Sequence, residues 1–238
     1  MGIRVAILVD CEFFLKRYRA IFRNYPDHLT PPKTAKSLVD QALRHIQQID
    51  TNKNHYQPPE YLYRIFIYDA PPMTKRIHHP FTKQSIDLSK STEALFRQEF
   101  HKILMKTPNV SLRFGYIDEK NAHWRIKKSK LQELLKGKIS FDAITAEDLE
   151  YYGKQKGVDM KIGLDIATLT HKKLVEKIVL ISGDSDFVPA AKLARREGVK
   201  FVLDPMGQPI KEDLHEHIDW LKTTVIFPKE DNEFNASR

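Results

Sequence analysis

The chain has 238 residues, with 39 Lys or Arg against 31 Asp or Glu and a formal charge of +8. Its 41% hydrophobic content is that of a soluble globular protein with one sizeable core. No run nears the roughly 18 apolar residues of a membrane span. The single cysteine, Cys11, excludes a disulfide framework and a Cys-type zinc site.

Residues 3–9, IRVAILV, are aliphatic and β-branched throughout and read as a strand buried on both faces. Residues 13–23 read as a helix stopping near Pro26, with Phe13, Phe14, Tyr18 and Phe22 at core spacing. Residues 34–49 place Leu38, Ala42, Leu43, Ile46 and Ile49 at helical spacing, with Thr34 as N-cap. Residues 61–68, YLYRIFIY, form a second strand. A loop from Asp69 to Ser91 carries Pro71, Pro72 and Pro80, and its His78-His79 pair has no partner at metal spacing. A helix over 92–105 leads to a third strand, 110–116.

Residues 118–140 are rich in Lys and Arg. Their segment HWRIKKSK joins Trp124 to Arg125, Lys127 and Lys128, a mixture that stacks bases and neutralises phosphates, or equally a solvated helix face. Residues 158–169 read as a helix, 178–181 and 200–203 as buried strands, and 189–197 as the helix between them, closed by Gly198. A short helix over 214–221, a strand over 225–227 and a polar tail from Lys229 complete the chain.

Strands that alternate with helices predict an α/β fold with a mostly parallel central sheet flanked by helices. We expect one domain over 1–228, with insertions near 69–91 and 118–140, followed by the tail 229–238. No signal-peptide cleavage site follows the first apolar run, so the expected compartment is the cytoplasm, with no membrane contact.

The chemistry concentrates at strand ends, where parallel sheets bind ligands. Asp10 ends the first strand, and Asp184 and Asp186 follow the strand 178–181. Asp159 opens the helix before that strand, and Glu12 stands two residues past Asp10. Clustered carboxylates without His or Cys suit a hard cation, Mg²⁺ or Mn²⁺, and phosphoester hydrolysis. Each aspartate also has a bland reading: Asp186 as a helix cap, Asp10 as a loop residue. The turn from Asp204 to Gly207 follows a strand on the same edge and is a candidate to rim the site.

Three stretches, VAILVDCEFF at 5–14, KGVDMKIGLDIATL at 156–169 and KIVLISGDSDFVPAAKLARREGVKFVL at 177–203, resemble the NYN-domain family of the PIN-like ribonuclease superfamily, in its bacterial branch. The resemblance implies a Rossmann-like PIN fold and a metal-dependent nuclease acting on RNA. Carried over by position, Asp10, Asp159, Asp184 and Asp186 would be metal ligands and catalytic residues. Glu12, Asp165, Ser182 and Ser185 would support them, and Lys156 and Lys161 would meet RNA. Family members commonly carry Asp-Gly-x-Asn after the first strand. Here the run is Asp10-Cys11-Glu12-Phe13, and Glu12 either replaces the lost polar group or marks a weakened site. A non-catalytic RNA-binding or scaffold protein is the alternative, and a homo-oligomer stays open. A haloacid-dehalogenase-type phosphatase would need Asp at 12 and 188, where Glu and Val stand. A nucleotide-sugar transferase would not need Asp10 and Asp159 in one site.

Overall fold

The structure, a computed structural model, describes residues 2–46 and 58–228. Expectations for Ile49 and for the tail from Lys229 lie outside the described residues. Six strands build one sheet: β1 (Ile3–Asp10), β2 (Glu60–Asp69), β3 (Val110–Phe114), β4 (Lys177–Ile181), β5 (Lys200–Asp204) and β6 (Trp220–Leu221). All neighbours are parallel, in the order β6-β5-β4-β1-β2-β3. The chain thus winds outward from β1 in one direction, returns to β4, and winds the other way. The β1–β4 junction is the switch point, where an open parallel sheet leaves a crevice beyond its carboxyl ends.

Helices cover both faces. On one lie α1 (Cys11–Ile21), α2 (Pro31–Leu43) and α3 (Thr92–Met105), packed through Phe14, Leu15, Leu38, Phe100 and Leu104 onto Val5, Ile7, Val9, Val179 and Val202. The other face carries α5 (Val158–His171), α6 (Val188–Arg196) and α7 (Glu212–Glu216), packed through Ile162, Ile166, Ala191 and Leu214 onto Ala6, Leu8, Leu180 and Leu203. Successive residues of each central strand serve opposite layers, so strands with no polar face are what this architecture requires.

Several expectations need correction. The second helix begins at Pro31, not Thr34, because two prolines with fixed φ occupy its first turn. Thr34 is a buried interior residue whose hydroxyl donates to His28 O at 3.3 Å. The helix ends at Leu43. The proline loop contains a hairpin, 76–78 against 85–87. The third strand stops at Phe114, since a Cβ on Gly115 would lie 2.4 Å from Lys156 O, and Tyr116–Ile117 turn to pair with Gln155–Lys156. Residues 214–221 split into the end of α7 and β6, because Asp219 accepts from Phe201 N at 2.7 Å and draws the chain onto the sheet. Residues 225–227 join no strand ladder.

The two excursions near 70–91 and 115–156 both leave the carboxyl edge and pack together. The strand 123–126 pairs with 149–152, and the short helix α4 (Lys128–Leu135) follows it. Trp124 Nε1 donates to His78 O at 2.9 Å and Lys75 Nζ to Glu119 O at 3.0 Å. His79 Nε2 lies 3.2 Å from Ala146 O.

The end of β5 is anchored by a buried polar knot. Asp204 receives Gln41 Nε2 at 2.9 Å, Met206 N at 2.8 Å and the Thr224 hydroxyl at 3.1 Å, with His45 Nε2 at 2.9 Å. Asp204→Ala strands all four partners and should cost about 3–5 kcal/mol, read from urea unfolding at constant m-value.

Candidate functional site

A cleft of about 790 Å³ opens at the carboxyl edge over the switch point. Its floor holds Asp10, Ser182, Gly183 and Asp184, which the β1–β4 register brings side by side. Asp159 and Glu12 line it too, from the first turns of α5 and α1. Tyr151, Tyr152, Lys154, Pro71 and Met73 form the facing wall, contributed by the two excursions.

Asp10 does two things at once. Its Oδ1 accepts from Phe13 N at 3.2 Å as the N-cap of α1, and its Oδ2 receives the Ser182 hydroxyl at 3.4 Å. Asp184 likewise caps the turn 185–187 by accepting from Asp186 N at 3.0 Å, so the capping residue there is Asp184 and not Asp186. Gly183 is close-packed: a Cβ there would lie 2.8 Å from the Phe13 ring, which holds the Ser-Gly-Asp-Ser-Asp turn against α1. Ser185 Oγ receives Lys211 Nζ at 3.1 Å.

The electrostatics is dominated by repulsion. Burial pushes Asp10 up to about 7, with the charges of Asp159 and Glu12 adding to it against the hydrogen bonds from Phe13 and Ser182. Burial also raises Asp159, followed by Asp184 and Asp186, while Lys154 opposes them. Asp186 therefore shares the field of the cleft without lining it. Among the described residues, the set of three ligand atoms mutually within 4.8 Å is Asp213, Glu216 and His217 on α7. The cleft carboxylates stand wider, so an ion there would meet one or two of them and complete its shell with water. That coordination suits Mg²⁺ and related hard cations.

Asp165 stands apart from the cleft: it accepts from the Tyr68 hydroxyl at 2.8 Å and lies 3.2 Å from Arg113 Nε. Lys156 faces Asp118 at 3.5 Å, and Lys161 lies on α5 with its side chain in solvent. Trp124 braces His78, and Arg125 is paired with Glu150 at 2.8 Å and lies 3.5 Å over the Tyr152 ring. Lys127 precedes and Lys128 opens α4, and neither lines the cleft. The cations that do are Lys16, Arg97, Lys154 and Lys211, which the sequence reading passed over because they come from four separate elements.

Asp69 was also missed, although it ends β2 as Asp10 ends β1. It is fully buried against Arg97, with His101 Nε2 at 2.7 Å. Burial alone would raise it, but the His101 hydrogen bond and the Arg97 charge outweigh that and hold it below the usual range. Asp204 does not rim the cleft but turns into the α2 layer.

The NYN domain profile matches residues 65–217. The chain belongs to the NYN domain family. NYN domains lie within the PIN-like nuclease superfamily, whose members generally use divalent metal ions and typically bind RNA. The match covers Asp159, Asp184 and Asp186, while Asp10 lies on a strand before it. No curated protein matches the chain. A crystal structure of a protein of unknown function from Vibrio parahaemolyticus is similar over 93% of each chain, at 14% identity and a TM-score of 0.45. Among the described residues, no helix is long and apolar enough to cross a membrane.

A carboxyl raised by the fold holds its proton more tightly folded than unfolded, so its ionised form opposes folding. For Asp10 that cost is absent below pH 4, grows as pH climbs and is complete above about 7. Asp10→Asn should therefore leave stability unchanged at pH 4 and raise it by about 2 kcal/mol at pH 8 in metal-free buffer, within a ceiling near 4 set by 1.36 kcal/mol per pH unit. Chemical denaturation at the two pH values reads this directly.

Proposed function

We propose that this chain hydrolyses RNA phosphodiester bonds in the cleft, with Mg²⁺ or Mn²⁺ held at one or two of the carboxylates of Asp10, Asp159 and Asp184 and with Asp186 adding its charge from beside the cleft. The observation that carries the reading is the convergence of these carboxylates, at a burial and spacing that make their charges mutually unfavourable. A group of oxygen donors in which, among the described residues, no cation pairs directly with Asp10 fits a hard divalent ion in donor chemistry and in charge. When bound, such an ion polarises a phosphoryl oxygen and lowers the pKa of its water.

The chain's own residues supply the rest. The Ser182 hydroxyl fixes the rotamer of Asp10, and the Phe13 amide holds the other oxygen, so the carboxylate is set before any ligand arrives. Lys16, Lys154 and Lys211 bring positive charge to the cleft for the phosphate backbone. Arg97 lines it too, but its charge is committed to Asp69 and Glu93. Tyr151 and Tyr152 give the wall aromatic faces for unstacked bases. Glu12 lines the cleft one residue before the position where the family pattern carries Asn, which supports the reading that it stands in for that group.

Labelled single-stranded and hairpin RNA, incubated with Mn²⁺, tests the reading. Wild type should cut, and Asp184→Asn should lose on the order of 100-fold in rate. Equal cutting by both rejects the site, and tight binding with no cutting by wild type gives the non-catalytic RNA-binding alternative. Independently of activity, Mn²⁺ should raise the wild-type melting temperature, excess chelator should reverse the rise, and Asp159→Asn should show less of it.

A further inference from the structure

Helix α1 borders two concavities. At its start Glu12 and Lys16 line the cleft. From the next residue onward, Arg17 and Ala20 on the helix and Arg23, Asn24 and Tyr25 in the turn after it line a second groove of about 430 Å³, with Phe227. We infer that an RNA strand leaving the cleft follows the outer face of α1 into this groove, where Arg23 and Arg17 meet a backbone phosphate and the aromatic side chains take a base. The inference rests on the RNA reading of the cleft and extends it to a second contact.

Three observations carry it. The first is geometric: Lys16 and Ala20 are exposed at i, i+4 spacing on the helix, and Arg23 is exposed in the turn that follows it. At 1.5 Å per residue, Lys16 and Ile21, the last helical residue, are about 7.5 Å apart along the axis, roughly two nucleotides at the 3.4 Å spacing of a stacked strand, and Arg23 lies beyond.

The second is charge. Among the described residues no carboxylate lines the groove. Among the described residues Lys16 and Arg23 make no ion pair, while Arg19 on the same helix is neutralised by Glu93 at 2.8 Å and packs over Phe96. Arg17 spends one N–H on Met206 O at 3.0 Å, and its Nε finds no acceptor. Among the described residues no carboxylate pairs with the Arg17 guanidinium. A row of unneutralised cations leading away from a phosphodiester site favours a polyanion over an uncharged ligand.

The third is the aromatic pair. Tyr25 and Phe227 line the groove beside Arg23, the combination of stacking face and cation that holds single strands without reading their sequence.

Binding of fluorescent oligouridylates of 4 and 12 nucleotides to the Asp184→Asn protein in Mg²⁺ tests this without cleavage. The 12-mer should bind at least tenfold more tightly than the 4-mer. Arg23→Glu should lose about tenfold for the 12-mer and less than twofold for the 4-mer, and should flatten the 12-mer salt slope by at least about 0.7, one phosphate contact. Arg23→Lys should keep most of the affinity. Lys172→Glu, at the far end of α5, carries the same charge change and should matter less than twofold. Equal losses at both lengths, or an equal loss in Lys172→Glu, would overturn the track while leaving the cleft reading intact. Length-dependent binding with no cleavage by wild type would uphold the track and defeat the catalytic reading. No binding at either length defeats the track, whatever the cleavage assay shows.

Discussion

The two-residue period of a β-strand decides which carboxylate at the carboxyl edge is free for chemistry. β1, β2 and β5 each end in aspartate. Asp10 shares its side with Ala6 and Leu8, which face the α5 layer, where Asp159 opens the helix and Ser182 continues the neighbouring strand. Asp69 shares its side with Ile65 and Ile67, and Asp204 with Val202, which face the opposite layer. There α3 supplies Arg97 and His101, α2 supplies Gln41, and the turn after it supplies His45. A buried carboxylate without such partners is strongly destabilising. The fold answers that demand twice with protein groups and leaves Asp10 among other acids.

Stability and function are thus divided between the two layers. The paired aspartates tie strand ends to helices and hold the edge rigid. Among the described residues Asp10 gains no such partner and Asp159 only the nearby charge of Lys154, and their mutual repulsion is held in place by the packed sheet beneath them. The close contact of Phe13 with Gly183 locks the two loops that carry Asp10 and Asp184, so neither can relax the repulsion by moving away alone.

Much of this was legible in the sequence. The apolar runs gave away β1, β2, β4 and β5 because two-sided burial leaves no other composition, and the helix read over 92–105 is α3, although its cap, Ser91 through Ala94 N, was placed in the preceding loop. The carboxylates of the switch point were legible because Asp10 and the Gly-Asp-Ser-Asp turn abut strands. Asp69 was overlooked and Asp204 misassigned because parity becomes informative only when it is known which helix covers which face. The cations of the cleft escaped because Lys16, Arg97, Lys154 and Lys211 are scattered singly along the chain. The conspicuous basic stretch, by contrast, spends Trp124 and Arg125 on bracing the excursions. Thr34 misled because a threonine three residues into a helix resembles a cap when the prolines before it are read as a break.

The wall of the cleft is built apart from its floor. Its excursions depart after β2 and β3 have ended, and they fasten to each other through contacts such as Trp124 with His78 and Lys75 with Glu119. The sheet would keep its order and its aspartates if those segments were lengthened, shortened or replaced. What enters the cleft and what happens there are therefore encoded by different stretches of chain, so evolution, or a protein engineer, has leave to retarget this protein by rewriting the wall alone.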